Sequence, residues 1–206
     1  MKFIVLAHND NNKLIRCISS ICTNKNSVKE IDILFNKEDT AKIKNTVYTL
    51  EKLNPDIKFT IKKFNIHKRD IYKSVDILMI RKWVKKIDNE FIVICNEDCI
   101  FTSSYIENFY NDIDLHYNNE IDDINLFLYG NATDWDINGN GKSIYRKSVL
   151  LQIPDKFWRK CEGINHLYKY YFSEFCQSKT FFKNIIEAEA NRKFHILKYD
   201  NVIINP

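Results

Sequence analysis

FIVICNED, residues 91–98, decides the fold class, because five apolar residues are followed at once by three polar ones. An apolar run this short, rich in β-branched and aromatic side chains, predicts a buried strand over Phe91–Cys95. Asn96, Glu97 and Asp98 then stand at the carboxyl end of that strand. Polar side chains are costly to hold there without partners, so this end of the strand marks a candidate site.

The chain around this stretch alternates between strand and helix patterns. Apolar runs predict further strands, at Phe3–Ala7, Ile31–Phe35, Ile57–Ile61, Ile124–Tyr129, Phe194–Leu197 and Val202–Ile204. Apolar residues at helical spacing predict helices at about 14–22, 43–53, 71–87, 105–113, 164–176 and from 180. The repeated order predicts an α/β fold with a mostly parallel sheet and helices on both faces.

Open parallel sheets bind ligands outside the carboxyl ends of their strands. That rule selects His8-Asn9-Asp10, residues 36–39 and Asn96-Glu97-Asp98. Alternate residues of an extended chain point the same way, so Asn96 and Asp98 are predicted to face one cleft. A carboxylate there can ligate Mg²⁺ or Mn²⁺, which prefer oxygen donors. The alternative is that Asp98 caps a helix starting near Thr102 and that Glu97 is solvated.

Composition sets the class of protein without setting its function. The 206 residues are 45% hydrophobic and 28% charged, with a net charge of +4, which predicts one globular domain over residues 1–206. A mildly basic balance permits an anionic ligand but does not demand nucleic acid. The absence of an apolar run long enough for a membrane span, of a signal-peptide pattern and of any C-x-x-C pair predicts a cytoplasmic protein with reduced cysteines.

Four stretches, taken in order, resemble the family-2-type glycosyltransferases with the GT-A fold. They are FIVLAHNDNNKLIRCISSI (3–21), EIDILFNKEDT (30–40), NEFIVICNEDCIFTSSYIENF (89–109) and IYRKSVLLQI (144–153). The third resembles the family's strand, Asp-x-Asp-type motif and following helix. The resemblance implies a GT-A-like, Rossmann-type sheet, with a nucleotide-sugar-binding half over 1–100 and an acceptor-binding half over 101–206.

The resemblance also implies a metal-dependent transfer from a nucleotide-diphosphate sugar, most often a UDP-sugar. It assigns the Mn²⁺ or Mg²⁺ to Asp98, because the family's first motif Asp is Asn96 here. The sequence also predicts a long polar loop over residues 130–142, which holds three of the four glycines. The donor nucleotide would then meet the ends of the first strands and the run after this glycine-containing loop. Those donor-binding candidates are Ala7, His8, Asn9, Asn36, Asn96, Glu97 and Arg146.

The general base is where the sequence departs from the family. Glu162 lies near the position of the family's Glu-Asp motif, but Gly163 stands where that motif has its Asp. Glu162, Asp134, Asp136 and Asp155 therefore remain candidates for the carboxylate that takes the acceptor's proton. If the enzyme retains the anomeric configuration, no separate base is needed.

Two other classes of protein stay open at this point. A sugar nucleotidyltransferase would carry a glycine-rich phosphate loop after strand one, and residues 8–12 contain no glycine. A catalytically inactive nucleotide-sugar-binding or interaction module fits the departures at Asn96 and Gly163. Acceptor candidates are a polysaccharide or lipid-linked glycan, or a hydroxymethylated base in phage DNA, in which case the compartment would be the host cytoplasm.

Overall fold

The computed structural model describes residues 1–8, 10–24, 27–36, 40–67, 72–107, 109–111, 126–129, 143–153, 155–163, 194–197 and 202–204. Strands and helices alternate through the first hundred residues. The strands are β1 (Lys2–Leu6), β2 (Glu30–Asn36), β3 (Lys58–Phe64), β4 (Phe91–Asn96), β5 (Cys99–Phe101), β6 (Leu126–Tyr129), β7 (Ser143–Arg146), β8 (Phe194–Leu197) and β9 (Val202–Ile204). The helices are α1 (Asn11–Cys22), α2 (Thr40–Leu53), α3 (Val75–Val84), α4 (105–107 and 109–111), α5 (Lys147–Gln152) and α6 (Asp155–Lys160).

Seven strands form one sheet in the order β3-β2-β1-β4-β7-β6-β8, and β5 pairs with β9 in a separate two-stranded sheet. The pairs β1–β2, β1–β4, β2–β3 and β6–β8 are parallel, whereas β7 runs antiparallel to both of its neighbours. The predicted mostly parallel sheet is therefore confirmed. β7, which the sequence analysis did not predict, is the one reversed strand among the seven described strands of the larger sheet.

Side chains that alternate along the strands divide the core between the two faces of the sheet. Phe3, Val5 and Ile33 pack with the apolar stripe of α1, with α2 and with α4 on one face. Ile4 and Leu34 pack with α3, α5 and α6 on the other face. The prediction of helices on both faces is confirmed, and it follows from strands that are buried on both sides.

Two caps fix the start of the helices nearest the candidate site. The Asp10 carboxylate accepts the backbone N–H groups of Asn12 and Lys13, each at 3.0 Å, at the start of α1. The Ser74 hydroxyl accepts the N–H of Ile77 at 3.5 Å at the start of α3. Each cap satisfies N–H groups that the first turn of a helix cannot satisfy by itself.

Several element boundaries differ from the predictions. β1 ends at Leu6 rather than Ala7, and α3 spans Val75–Val84 rather than 71–87. A short strand, β5, follows Asp98 and separates it from α4, which begins at residue 105 like the helix predicted over 105–113. The predicted loop at 130–142 and the predicted helices at 164–176 and from 180 lie outside the described residues. No helix within the described ranges is long and apolar enough to cross a membrane.

Candidate functional site

The candidate site is the crevice at the carboxyl ends of β1 and β4. These two strands are parallel neighbours in register, with Leu6 opposite Asn96. β2, the next strand along the chain, lies on one side of β1, and β4 lies on its other side. The strand order therefore reverses between β1 and β4, and the loops that follow these two strands lead away in opposite directions. Crevices of this kind are where open α/β sheets bind ligands.

Glu97 joins the two loops that border the crevice. Its carboxylate accepts the backbone N–H of His8 at 2.8 Å through Oε2 and that of Asp10 at 3.2 Å through Oε1. The Glu97 N–H in turn donates to the carbonyl oxygen of Leu6 at 3.1 Å. Glu97 is 6% exposed, so its carboxylate is largely removed from water. Its observed contacts hold the loop after β1 in place, whereas the prediction gave it a ligand contact.

The pKa of Glu97 reflects this placement. Burial raises the pKa of its carboxyl, and the two backbone N–H groups of His8 and Asp10 oppose that rise. Hydrogen bonds to the ionised form are the effect that keeps a buried carboxylate charged. The hydrogen bonds from the loop therefore favour the charged form of Glu97, and that charge in turn strengthens the hydrogen bonds.

His8 presents its side chain at the same edge of the sheet. Its Nε2 lies 3.6 Å from Oδ2 of Asp76, in the first turn of α3. The His8 side chain is 45% exposed and the Asp76 side chain 29%. Burial raises the pKa of the Asp76 carboxyl, and the charge of His8 opposes the rise. Asp76 is a residue that the sequence analysis missed, because an acidic residue just after a Ser cap is ordinary at the start of any helix.

Asn96 and Asp98 lie where the sequence predicted, at the end of β4 and in the turn before β5. Both are half-buried. The Cys99 thiol donates to Oδ1 of Asp98 at 3.5 Å, and the Cys17 thiol donates to the Asn96 carbonyl at 3.6 Å. A weak thiol contact leaves the Asp98 carboxylate most of its capacity to bind a cation.

The described residues contain no group of three or more His, Cys, Asp or Glu side chains that could hold a metal ion by themselves. Asp98 nevertheless suits a divalent cation that the substrate helps to bind. Mg²⁺ is commonly bound by one or two carboxylates together with the phosphate oxygens of a substrate. The half-buried Asp98 carboxylate at the crevice supplies such a protein ligand.

Two other donor-binding candidates are engaged with the backbone. The Ala7 N–H donates to the Leu34 carbonyl at 2.8 Å, which extends the β1–β2 pairing by one residue. The Asn36 amide pairs with Ile66 in both directions, accepting the Ile66 N–H at 2.7 Å and donating to its carbonyl at 3.2 Å. Asn36 therefore anchors the segment after β3, a contact that the sequence analysis did not foresee.

The carboxylates proposed as bases occupy different surroundings. Glu162 is 60% exposed and forms an ion pair with Lys73 at 2.6 Å, immediately before the cap of α3. Asp155 instead accepts the Tyr72 hydroxyl at 2.6 Å and pairs with Arg81 and Arg159. With two guanidinium groups and a phenol on its oxygens, Asp155 fixes α6 to α3, whereas Glu162 is the more exposed of the two carboxylates.

The backbone of Arg146 does not lie at the crevice. In the antiparallel register Arg146 lies opposite Phe91, at the start of β4, whereas the crevice lies beyond Asn96 at its end. Five strand residues span about 16 Å. Its backbone therefore lies at the other edge of the sheet from the proposed phosphate site. Asn9, Asp134 and Asp136 lie outside the described residues.

A cleft of about 580 Å³ opens beside the crevice. Its walls come from the start of α1, the start of α2 and the β4–β5 turn, through Asp10, Asn11, Asn12, Lys13, Ile15, Lys42 and Glu97. That volume falls within the range of small-molecule sites. Two lysines, two asparagines and the carboxylates of Asp10 and Glu97 line it, a polar composition in which Lys13 and Lys42 are the groups suited to an anionic ligand.

No family model matches the sequence, and no curated protein matches it. Solved structures do match its fold. The 1–349 fragment of TarS from S. aureus superposes with a TM-score of 0.57 at 12% identity, covering 84% of this chain and 56% of the fragment. An active-site mutant of LgtC gives a TM-score of 0.52 at 11% identity and covers 98% of this chain and 86% of the mutant. These neighbours are GT-A glycosyltransferases. The chain has a GT-A-type fold.

GT-A-type sheets also occur among the neighbours in an enzyme of another reaction class. The inositol-1-phosphate CTP transferase from T. maritima superposes with a TM-score of 0.57 at 10% identity, covering 100% of this chain and 89% of that enzyme. The present chain spans about half the length of the TarS fragment but nearly all of the CTP transferase. At these identities the likeness establishes the GT-A fold and leaves the reaction to be argued from the site.

Proposed function

We propose that this chain is a glycosyltransferase that moves a sugar from a nucleotide-diphosphate sugar, with UDP as the nucleotide, to an acceptor hydroxyl. One observation carries the proposal. Glu97 binds the loop after β1 to the turn after β4, so a polar crevice with a half-buried Asp98 stands at the switch point of a GT-A-type sheet. TarS was solved in complex with UDP, in a fold that matches this chain with a TM-score of 0.55.

The donor would lie across the carboxyl ends of β1 and β4. His8, Asn96 and the turn at Asp98 border the crevice, and Lys13 and Lys42 line the adjoining cleft. Cationic side chains suit phosphate groups, and carboxamides can pair with the polar edge of a ribose or a base. Asn9 and Ala7 stay candidates for the same role, Ala7 through its backbone because its side chain is buried.

Asp98 would hold the Mg²⁺ or Mn²⁺ that the resemblance implies. A cation bound there would supply charge neutralisation for the diphosphate leaving group. The chain's own part is to place one half-buried carboxylate beside the phosphates, on a turn fixed by strands β4 and β5.

Glu162 is the proposed base of an inverting transfer. As the acceptor oxygen bonds to the anomeric carbon, the bond from that carbon to the diphosphate breaks and the hydroxyl proton passes to the carboxylate. Lys73 now holds Glu162, and both flank the capped start of α3 at the crevice side of the sheet. Asp134 and Asp136 remain alternatives, and a retaining transfer would need none of them.

The decisive experiment is calorimetric titration of the protein with UDP, with Mn²⁺ present and then with EDTA. We expect Asp98→Ala to lose the metal-dependent part of binding, at least tenfold in affinity, while wild type retains it. Asp88→Asn is the matched control, since Asp88 is an exposed acid at the other end of β4. Binding that is indifferent to both metal and Asp98 would contradict the proposed metal site.

A sugar nucleotidyltransferase is the second candidate. It is favoured by the CTP transferase whose fold this chain covers almost completely. That reaction transfers the nucleotidyl group of a nucleoside triphosphate to the phosphate of a sugar phosphate, and pyrophosphate leaves. Pyrophosphate exchange with UTP or CTP would support it, whereas metal-dependent hydrolysis of a UDP-sugar would support the glycosyltransferase. Absence of both activities, with UDP still bound, would indicate an inactive binding module.

The acceptor is proposed only as a class of hydroxyl compound. A polysaccharide or lipid-linked glycan and a hydroxymethylated base in DNA are the candidates. DNA binding falls steeply with salt because phosphate contacts release counterions. A transfer to DNA whose rate is unchanged between low and moderate salt would argue against a nucleic-acid acceptor.

A further inference from the structure

His8 is held from its backbone at the carboxyl end of β1. Its N–H donates to Glu97 at 2.8 Å, and the preceding residue, Ala7, is pinned to Leu34 at 2.8 Å. The ring itself is 45% exposed. A histidine with a fixed backbone and an open ring, placed on the crevice, is positioned to meet a ligand.

Asp76 constrains the same ring from another element. It stands in the first turn of α3 behind the Ser74 cap, and its Oδ2 lies 3.6 Å from Nε2 of His8. The positive end of the helix favours the ionised carboxylate at that position. A carboxylate that is mostly buried gains most from a cationic partner, and the charge of His8 acts on Asp76 in that direction.

Three carboxylates lie around the loop that carries His8. Asp76 approaches from α3 and Glu97 from the β4–β5 turn, and Asp10 of the same loop shares the Glu97 carboxylate with His8. An imidazolium carries an N–H on each ring nitrogen. Nε2 lies at ion-pair distance from Asp76, so Nδ1–H of a protonated ring can serve a second acceptor.

We propose that Asp76 orients the His8 ring, and that this ring, when protonated, binds the diphosphate of the donor through Nδ1–H. The inference rests on the proposed function, because it names a contact within that donor site. His8 would be the residue that touches the ligand, and Asp76 would be a positioning residue. Phosphate oxygens are strong acceptors for charged N–H donors, so one such bond is worth about tenfold in affinity.

The test compares UDP with uridine, which lacks phosphate, at pH 6.0 to 8.5 with Mg²⁺ constant. The variants are His8→Gln, Asp76→Asn and the control Asp88→Asn. The terminal phosphate of UDP itself titrates near pH 6, so affinity is read as the ratio of wild type to His8→Gln at each pH. Histidine is the side chain that ordinarily changes charge in this range.

We expect wild type to bind UDP about tenfold more tightly than His8→Gln at pH 6.0, with the ratio falling toward one as pH rises. Asp76→Asn should lose most of the advantage at pH 6.0, while Asp88→Asn keeps it. Uridine affinity should be alike in all four proteins, which also shows that the variants are folded.

Two results would contradict the inference, and only one of them would also contradict the proposed function. Equal UDP affinity in wild type and His8→Gln at every pH would contradict the imidazolium contact and leave the proposed donor site intact. Failure of the folded wild type to bind UDP at any pH would contradict the proposed function together with the inference.

Discussion

At the scale of single residues, Glu97 is the side chain on which the crevice depends most directly. It is buried and satisfies two N–H groups of the loop that carries His8 and Asp10. Glu97→Gln keeps the size but places an amide N–H₂ against one of those N–H groups. We expect unfolding free energy to fall by about 1–3 kcal/mol, because a buried donor loses its acceptor. Denaturant titration measures it.

Glu51→Gln is the matched control for this substitution, since Glu51 is exposed on α2. Its effect should stay within about 0.5 kcal/mol, as for ordinary surface changes. Glu97→Gln should also weaken UDP binding, since the loop it positions borders the donor site. Unchanged stability in Glu97→Gln would mean that the two hydrogen bonds contribute little, and the crevice would then have to be organised in another way.

The sequence predicted where the polar residues of the site would stand but not what they contact. His8, Asn96 and Asp98 follow apolar runs, and the strand-end rule suffices to place them at one edge. The partners of Glu97 are 87 and 89 residues away along the chain, and those of Asn36 are 30 residues away. No local sequence pattern encodes such contacts. Glu97 and Asn36 were therefore predicted to bind a ligand, although both side chains form hydrogen bonds with backbone groups.

At the scale of elements, the attachment of α6 to α3 positions Glu162. Asp155 accepts the Tyr72 hydroxyl and pairs with Arg159 and Arg81. The Tyr72 hydrogen bond first, and then the two guanidinium groups, hold the pKa of Asp155 below its usual value. A carboxyl with a lowered folded pKa adds stability above its unfolded pKa of about 3.9, and that stability is lost as pH falls through the folded pKa.

Asp155→Asn should therefore lower the melting temperature by a few degrees at pH 7, with the difference from wild type shrinking below about pH 4. UDP-sugar hydrolysis should also fall in the variant if Glu162 is the base, because α6 would be held less firmly beside Lys73. Melting curves at pH 3 to 7 measure the effect on stability. Asp56→Asn, in an exposed turn, serves as the control, and a difference that is constant with pH would contradict the assignment.

Continuous apolar runs predicted strands, including the short β8 and β9 with their observed bounds, whereas β5 and β7 were not predicted. β1, β2 and β4 carry continuous buried runs, and α1 has a clear apolar stripe. β5 and β7 have three and four residues, and they form because β9 and β4 offer them hydrogen-bonding partners. The unexpected β7 also places the backbone of Arg146 opposite Phe91, at the end of β4 that is far from the crevice.

At the scale of the whole molecule, the crevice lies where β1 and β4 meet in the middle of the seven-stranded sheet. The loop after β1 and the turn after β4, which would hold the donor, therefore continue directly from strands that lie between the two halves of the core. A ligand that binds only the folded chain stabilises all of it. At one hundred times its Kd, it contributes about 2.7 kcal/mol.

We expect UDP with Mn²⁺ at that concentration to raise the melting temperature by about 5–10 °C, given the usual relation between free energy and melting temperature for chains of this size. EDTA should remove most of the shift, and Asp98→Ala should show only the part that survives EDTA in wild type. Thermal melting followed by circular dichroism is the measurement. An equal shift in wild type and Asp98→Ala would mean that UDP binds without the carboxylate at the end of β4, and the cation would then have to be placed elsewhere in the molecule.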